Sequence, residues 1–341
     1  MFTYRGSSMI DALNVIKGAV SSKDLVPVFT HVAVHDGRVH GFDGRLHISA
    51  PCPQLKGYSF TAPLLPFAAA VEACGGAPDI EVGEGRAFLT VSKDGFEATI
   101  PYGPIESFPI PELEKKRHKV KGLLPVLQAL HPFVGIDATR AWSASIRFQG
   151  LIALATNNIV LLEALHSAFA ASTPSMTLPL YAVEEMIHQG VDPQAVAVTD
   201  NTATFFYPDG VWLRTKLVDV PWPDAKAILR STHDGANLKQ IPTGLAEAVA
   251  RVLPFCVDPK NPLIRFTGET NTVSTLDGPI RGAVGGLRGN PIGTGVYHAA
   301  PLVAVLGVCQ RADWARFPRV PFEGTAGEVP VSGVLLGVPN V

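Results

Sequence analysis

The 341-residue sequence predicts an α+β protein in which one unit of helices and antiparallel sheets occurs three times. Three sets of landmarks in one register carry that expectation. Turn pairs at Asp43-Gly44, Asn157-Asn158 and Asp277-Gly278 each sit between short apolar runs and mark hairpins roughly 115 residues apart. Ahead of each hairpin lies an amphipathic helical segment, over residues 8–20, 122–134 and 243–256. Behind each comes a Pro-Leu pair, at Pro63-Leu64, Pro179-Leu180 and Pro301-Leu302, which opens a second helix. Proline suits that first turn because its missing N–H has no helical partner to lose.

Each unit therefore reads as helix, strands, turn, helix, strands, turn, with boundaries at 1–112, 113–233 and 234–341. In the first unit Lys23 stands before an expected strand over 28–35, which brings His31 and His35 onto one face. Four residues of strand span roughly 13 Å, too far for one ion, so His31, His35, His40 and His47 are not expected to form a metal site. The segment ESFPIPELEKKRHKVKG closes the unit with prolines and a charged run. Its Lys115, Lys116, Arg117, Lys119 and Lys121 could touch a phosphate backbone, but a solvated connector is the simpler reading.

The second unit is the most regular. Trp212, Arg214 and Lys216 alternate along a strand that leaves through Pro221 and Pro223, and the adjacent Glu184 and Glu185 read as solvent-facing helix residues. The third unit diverges most. Its glycine-rich GAVGGLRGNPIGTG contains neither GxxxxGK[ST] nor a GxGxxG placed between strand and helix, so it reads as a flexible connection rather than a phosphate cradle.

Composition narrows the function classes. The chain is 47% hydrophobic and 17% charged with a formal charge of −2, which does not suggest tight wrapping of nucleic acid. No run of about 18 apolar residues reads as a membrane span, and the N-terminal residues lack signal-peptide form, so the expected location is the cytoplasm. Cys52, Cys74, Cys256 and Cys309 are widely spaced and read as small apolar residues. No GxSxG, HExxH or EF-hand loop is present, and neither a catalytic residue nor a cofactor nor a metal is expected.

The hairpin IALATNNIVLLEAL, the following TLPLYAVEEMI, the strand YPDGVWLRTKLVDVPWPD with its Pro-Asp exit, the C-terminal VSGVLLGVP and the segment SSKDLVPVFTHVAVHDGRVHGFDG together resemble the bacterial β sliding clamp, the processivity subunit of DNA polymerase III. The resemblance implies three clamp domains, each with two helices packed on antiparallel sheets, assembling head to tail as a homodimeric ring whose helices line a central hole. It implies a processivity factor that encircles duplex DNA without sequence preference and tethers the replicative polymerase. On the matching positions, Lys23 stands where the family has a DNA-contacting basic residue, and Lys17, Lys121, Arg251 and Arg311 lie on or beside helices expected to face the hole. The family also docks short linear motifs of polymerase and clamp loader in an apolar pocket; the matching positions are Thr156, Leu161, Leu229, Val334, Leu336 and Val338, the last three expected on one strand face. Two other readings stand beside the clamp: a clamp-fold structural or interaction scaffold that does not encircle DNA, and an enzyme with an interdomain site.

Overall fold

The computed structural model describes residues 8–23, 26–83, 87–137, 139–276 and 278–339. The chain opens with helix α1 (Met9–Ile16), strands β1 (His31–His35), β2 (Arg38–Phe42), β3 (Leu46–Pro51) and β4 (Phe60–Pro63), helix α2 (Leu64–Ala73), and strands β5 (Asp79–Val82), β6 (Phe88–Lys93) and β7 (Phe96–Pro101). A short strand β8 (His118–Lys119) leads into α3 (Leu123–Leu130), β9 (Ser145–Gln149), β10 (Ile152–Thr156), β11 (Val160–Leu165), β12 (Met176–Pro179), α4 (Leu180–Gln189), β13 (Ala195–Val198), β14 (Thr202–Phe206) and β15 (Trp212–Lys216). Then follow α5 (Ala225–His233), β16 (Lys239–Gln240), α6 (Leu245–Val252), β17 (Leu263–Thr267), β18 (Thr272–Thr275), β19 (Ala283–Val284), β20 (Gly295–His298), α7 (Ala299–Leu306), β21 (Cys309–Ala312), β22 (Arg319–Ala326) and β23 (Val329–Leu336). Helix, four strands, helix, three strands thus recurs three times, as the turn and proline spacing predicts.

Two of the expected hairpin turns are seen directly, at Gly44 (φ +92°) between β2 and β3 and at Asn158 (φ +70°) between β10 and β11. Asp277 lies outside the described residues, although the flanking β18 and β19 do pair, Val273 opposite Val284. The leading helix of each repeat is shorter than expected and tightens into a 3₁₀ turn, at Lys17–Ala19, His131–Phe133 and Leu253–Phe255. Pro132 and Pro254 lack the N–H that would continue an α-helix there.

Tertiary compactness follows the sheets. One compact unit comprises residues 1–124 and 184–217, the other residues 125–183 and 218–341. The first unit holds an antiparallel sheet ordered β4-β1-β2-β3-β15-β14-β13-β8 and a small sheet β5-β6-β7. The second holds β12-β9-β10-β11-β23-β22-β21-β16 and β19-β18-β17-β20. Each eight-stranded sheet therefore joins the four-stranded half of one repeat to the three-stranded half of the next. The seams are β3 against β15, with Ile48 opposite Leu213, and β11 against β23, with Leu161 opposite Val334.

Helix α1 packs on β2 and β3. In α1, Ser8 caps the first turn by accepting from Asp11 N at 3.1 Å, and Met9, Leu13 and Ile16 are buried. Each such side chain stabilises the packing by roughly 1.5–3 kcal/mol. A Cβ at Gly41 of β2 would come within 2.7 Å of Ile16 O, so only glycine lets this helix end approach the strand so closely. Helix α3 is capped from a distance, with Gly122 N and Leu124 N donating to the Asp192 carboxylate at 3.0 and 2.7 Å.

Three expectations about loops and surfaces are corrected. The segment before β8 is no solvated connector: Arg214 Nη2 pairs with Glu114 at 3.1 Å, Arg214 Nη1 donates to Glu112 O at 3.0 Å, and the Arg117 guanidinium sits 3.7 Å over the Phe206 ring. It straps the sheet because Phe206 and Trp212 leave an apolar patch there for Leu113 to cover. The glycine-rich stretch is pinned rather than loose, since Asn271 Nδ2 donates to Leu287 O at 3.1 Å and Ile292 N donates to Asn271 Oδ1 at 3.1 Å. Glu185 is 8% exposed, facing α1, where its carboxylate fills the space beside Gly18 and accepts from Gln189 Nε2. Burial raises its pKa above the ordinary carboxylate value.

Candidate functional site

The site is built on the second seam. Asn157 Oδ1 accepts from Ile159 N at 3.1 Å and from Val160 N at 2.8 Å, and Thr156 Oγ1 accepts from Asn158 N at 3.1 Å. These side-chain bonds replace water at the backbone of the turn and fix the β10–β11 hairpin. Helix α5 packs beside it. Asp224 accepts from Ala227 N at 3.0 Å to start the helix, and Arg316 Nη1 donates to Thr232 O at 3.0 Å near its end. His233 Nε2 lies 3.0 Å from Gly333 O, tying the last turn of the helix to β23.

Leu229 and Ala225 of α5 are buried with Leu154 and Val334, and Ile152, Leu161 and Trp222 pack around them. Above this floor opens a cavity of about 220 Å³ lined by Trp142, Thr156, Asn158, Ile159, Val160, Leu161, Pro223, Ile228, Val334 and Leu336. Among the described residues no charged side chain lines it. Ile228 and Leu336 remain 43% and 38% exposed at its mouth, while Val334 is 2% exposed beneath. An apolar floor with an exposed apolar rim and a few polar groups is suited to anchoring the apolar side chains of a partner segment.

Of the six expected pocket residues, Thr156, Leu161, Val334 and Leu336 line this cavity and Leu229 forms its floor. Val338 does not join them: β23 ends at Leu336, and Val338 N donates to Val296 O at 2.8 Å. The chain turns away there, so the alternation that pairs Val334 with Leu336 stops one step short. Trp142, Pro223 and Ile228 were not read from the sequence. Asp224 followed by AKAILRSTH does carry an N-cap signal that points to α5. Trp142 has no local signal, since it lies in a loop and reaches the site through its edge contact with Trp222, ring centroids 6.0 Å apart.

The basic residues divide. Lys17, Lys23, Lys121 and Arg251 are exposed and make no ion pair with a described residue. Arg311 is corrected. It lies on strand β21, not at a helix, and its guanidinium is held by Glu323 of the neighbouring β22. His40 and His47 are buried among aromatic rings, with Trp212 4.8 Å from His47, and burial holds His40 down at about 3. Among the described residues no cluster of His, Cys, Asp and Glu could hold a metal ion.

The sequence matches no protein-family model and no curated protein sequence. Solved structures do match. The DNA polymerase sliding clamp of Bacillus subtilis superposes with a TM-score of 0.82 at 15% identity, covering 98% of this chain and 97% of that one. The fold is that of a sliding clamp. The C. crescentus β sliding clamp gives 0.80 at 16% identity, with 98% and 97% covered, so the clamp fold extends over nearly the whole of both chains. The Pseudomonas aeruginosa clamp, solved bound to griselimycin, gives 0.78 at 14% identity with the same coverage. No helix of the described residues is long and apolar enough to cross a membrane.

Proposed function

We propose that this chain is a DNA sliding clamp, a ring-shaped and non-enzymatic processivity factor that encircles duplex DNA and tethers a replicative polymerase in the cytoplasm. The observation that carries the reading is likeness in fold over 98% of the chain to a DNA polymerase sliding clamp. The strand edges support the ring. In both eight-stranded sheets the third strand of a four-stranded half pairs with the last strand of a three-stranded half. Among the described residues β19 and β7 are the strands of those two kinds left at sheet edges. Pairing β7 of one copy with β19 of a second, twice over, closes a head-to-tail dimer about a two-fold axis. Phe96 on β7 and Ile280 just ahead of β19 are 38% and 58% exposed, apolar surface that such a contact covers.

In this reading the domains are 1–112, 113–233 and 234–341, and Lys17, Lys23, Lys121 and Arg251 meet phosphates without reading bases. The cavity between the β10–β11 hairpin, α5 and β23 receives short apolar motifs of polymerase and clamp loader. Light scattering followed by retention on circular and linearised DNA tests it. The expected result is a mass near twice the 36.2 kDa chain, with protein held on the circle and released on cutting. A monomer, or a dimer indifferent to linearisation, overturns the ring and leaves the scaffold that does not encircle DNA.

A further inference from the structure

A cavity of about 490 Å³ lies within the first compact unit, on the face of its eight-stranded sheet crossed by the strap before β8. We propose that this cavity is a second binding site, for a flat aromatic monoanion of the aromatic carboxylate class. It belongs to one compact unit and does not rest on ring closure or on the pocket beside α5.

Its floor is aromatic. Phe206 and Trp212, 9% and 4% exposed, are the aromatic residues among its lining. Such a floor favours a planar apolar body, and the volume falls within the range of small-molecule sites, about 300–1,000 Å³. One wall is the strap, through Leu113 and Arg117; the other is the β1–β2 hairpin, through Asp36 and Arg38.

Among its lining residues two arginines, Arg38 and Arg117, outnumber the single carboxylate, Asp36, with His35 beside them. His40, also in the wall, is kept neutral by burial. The two guanidinium groups are fixed before any ligand arrives. Arg38 donates to Ser49 Oγ at 2.8 Å and to Gly210 O at 2.7 Å. Arg117 is stacked 3.7 Å over Phe206, yet its N–H groups make no hydrogen bond or ion pair with a described residue. A guanidinium held over a ring with its N–H groups unused is preorganised to donate to a carboxylate. His40 Nδ1, enclosed behind this wall, has no hydrogen-bond partner among the described residues.

Fluorescence titration of the full-length protein with 2-naphthoate, and with the uncharged 2-naphthamide, tests the site. Saturable binding of the acid is expected, weaker for the amide by about tenfold or more, the equivalent of one charge-assisted hydrogen bond. Arg117→Ala should weaken the acid to the level of the amide while lowering the thermal midpoint only slightly, because the exposed side chain gives up a single contact, with Phe206. Leu336→Glu, in the other cavity, should leave naphthoate binding as it was. Equal affinity for acid and amide, indifference to Arg117→Ala, loss of binding in Leu336→Glu, or no saturable binding overturns the proposal, whatever the DNA-retention experiment shows.

Discussion

The two seams are built alike and used differently. Each joins a four-stranded half-sheet to a three-stranded one, and each is flanked by a connector that ends in a two-residue edge strand, β8 on β13 and β16 on β21. At the first seam the sheet face carries His40, His47, Trp212 and Arg214, and the connector lies across it as an extended strap. At the second the face is aliphatic, with Leu154, Leu161 and Val334, and the connector coils into α5 and puts Leu229 into the floor. Two prolines, Pro109 and Pro111, keep the first connector extended, whereas Asp224 after Pro223 starts a helix in the second. The same sheet joint thus yields an uncharged apolar cavity or a cationic aromatic one, according to how the next few residues of backbone are set.

If α5 is core and the strap is cover, truncation must cost them unequally. Leu229→Ala removes a 7% exposed side chain from the floor and should lower stability by about 3 kcal/mol in urea unfolding. Leu113→Ala, half-buried in the strap, should cost about 1 kcal/mol. Equal losses would break the comparison.

Acid should separate the seams next. Burial, with Arg38 and His35 adding to it, holds His40 at about 3, and burial lowers His47 as well. The unfolded chain takes up these protons near pH 6.5 while the folded chain does not, so stability falls as pH drops from about 6.5 towards 3. Among the described residues no buried histidine lies in the second floor. His40→Phe should remove on the order of 2 kcal/mol of the difference in urea stability between pH 7 and pH 4.5. An unchanged difference would mean that His40 is protonated in the folded protein.

The repeat was legible because its signals are local. Gly44, Asn158 and the Pro-Leu pairs act within a few residues, and turn chemistry with apolar spacing suffices to place them. The seams were not legible, because Leu46 and Thr215 meet across about half the chain and nothing near either residue announces the other. Glu185 was misread for the same reason: its burial depends on the bare backbone of Gly18. The pocket residues came from the resemblance, with strand alternation adding only that Val334 and Leu336 share a face, whereas Ile228 required a helix of nine residues inside a proline-flanked connector, and Val338 required knowing where β23 stops.

A smaller effect tests the strap's anchor. Arg214→Ala removes the ion pair to Glu114 and the bond to Glu112 O, leaving Glu114 with Thr204 Oγ1 at 3.1 Å. The pair is half-buried, and its loss should cost about 1–2 kcal/mol. Trypsin should then cut after Lys115 and Lys116 faster than in the parent, with no change in cleavage after Lys226 of α5. Unchanged cleavage would mean that Leu113 and Arg117 hold the strap without Arg214.

The smallest expected change in stability carries the sharpest test of the second cavity. Leu336 ends β23, where its N donates to Ile159 O at 2.8 Å while its side chain stands at the cavity mouth. The backbone bond survives substitution, and Leu336→Glu turns its carboxylate to water in the free protein, so stability should move by less than about 0.5 kcal/mol. A docked apolar segment would have to strip that carboxylate of water against a wall that offers no cation. Binding of a fluorescent peptide bearing only uncharged Leu and Phe anchors should fall by about tenfold or more in anisotropy titrations. If the peptide binds the variant as well as the parent, the open mouth is not where it docks.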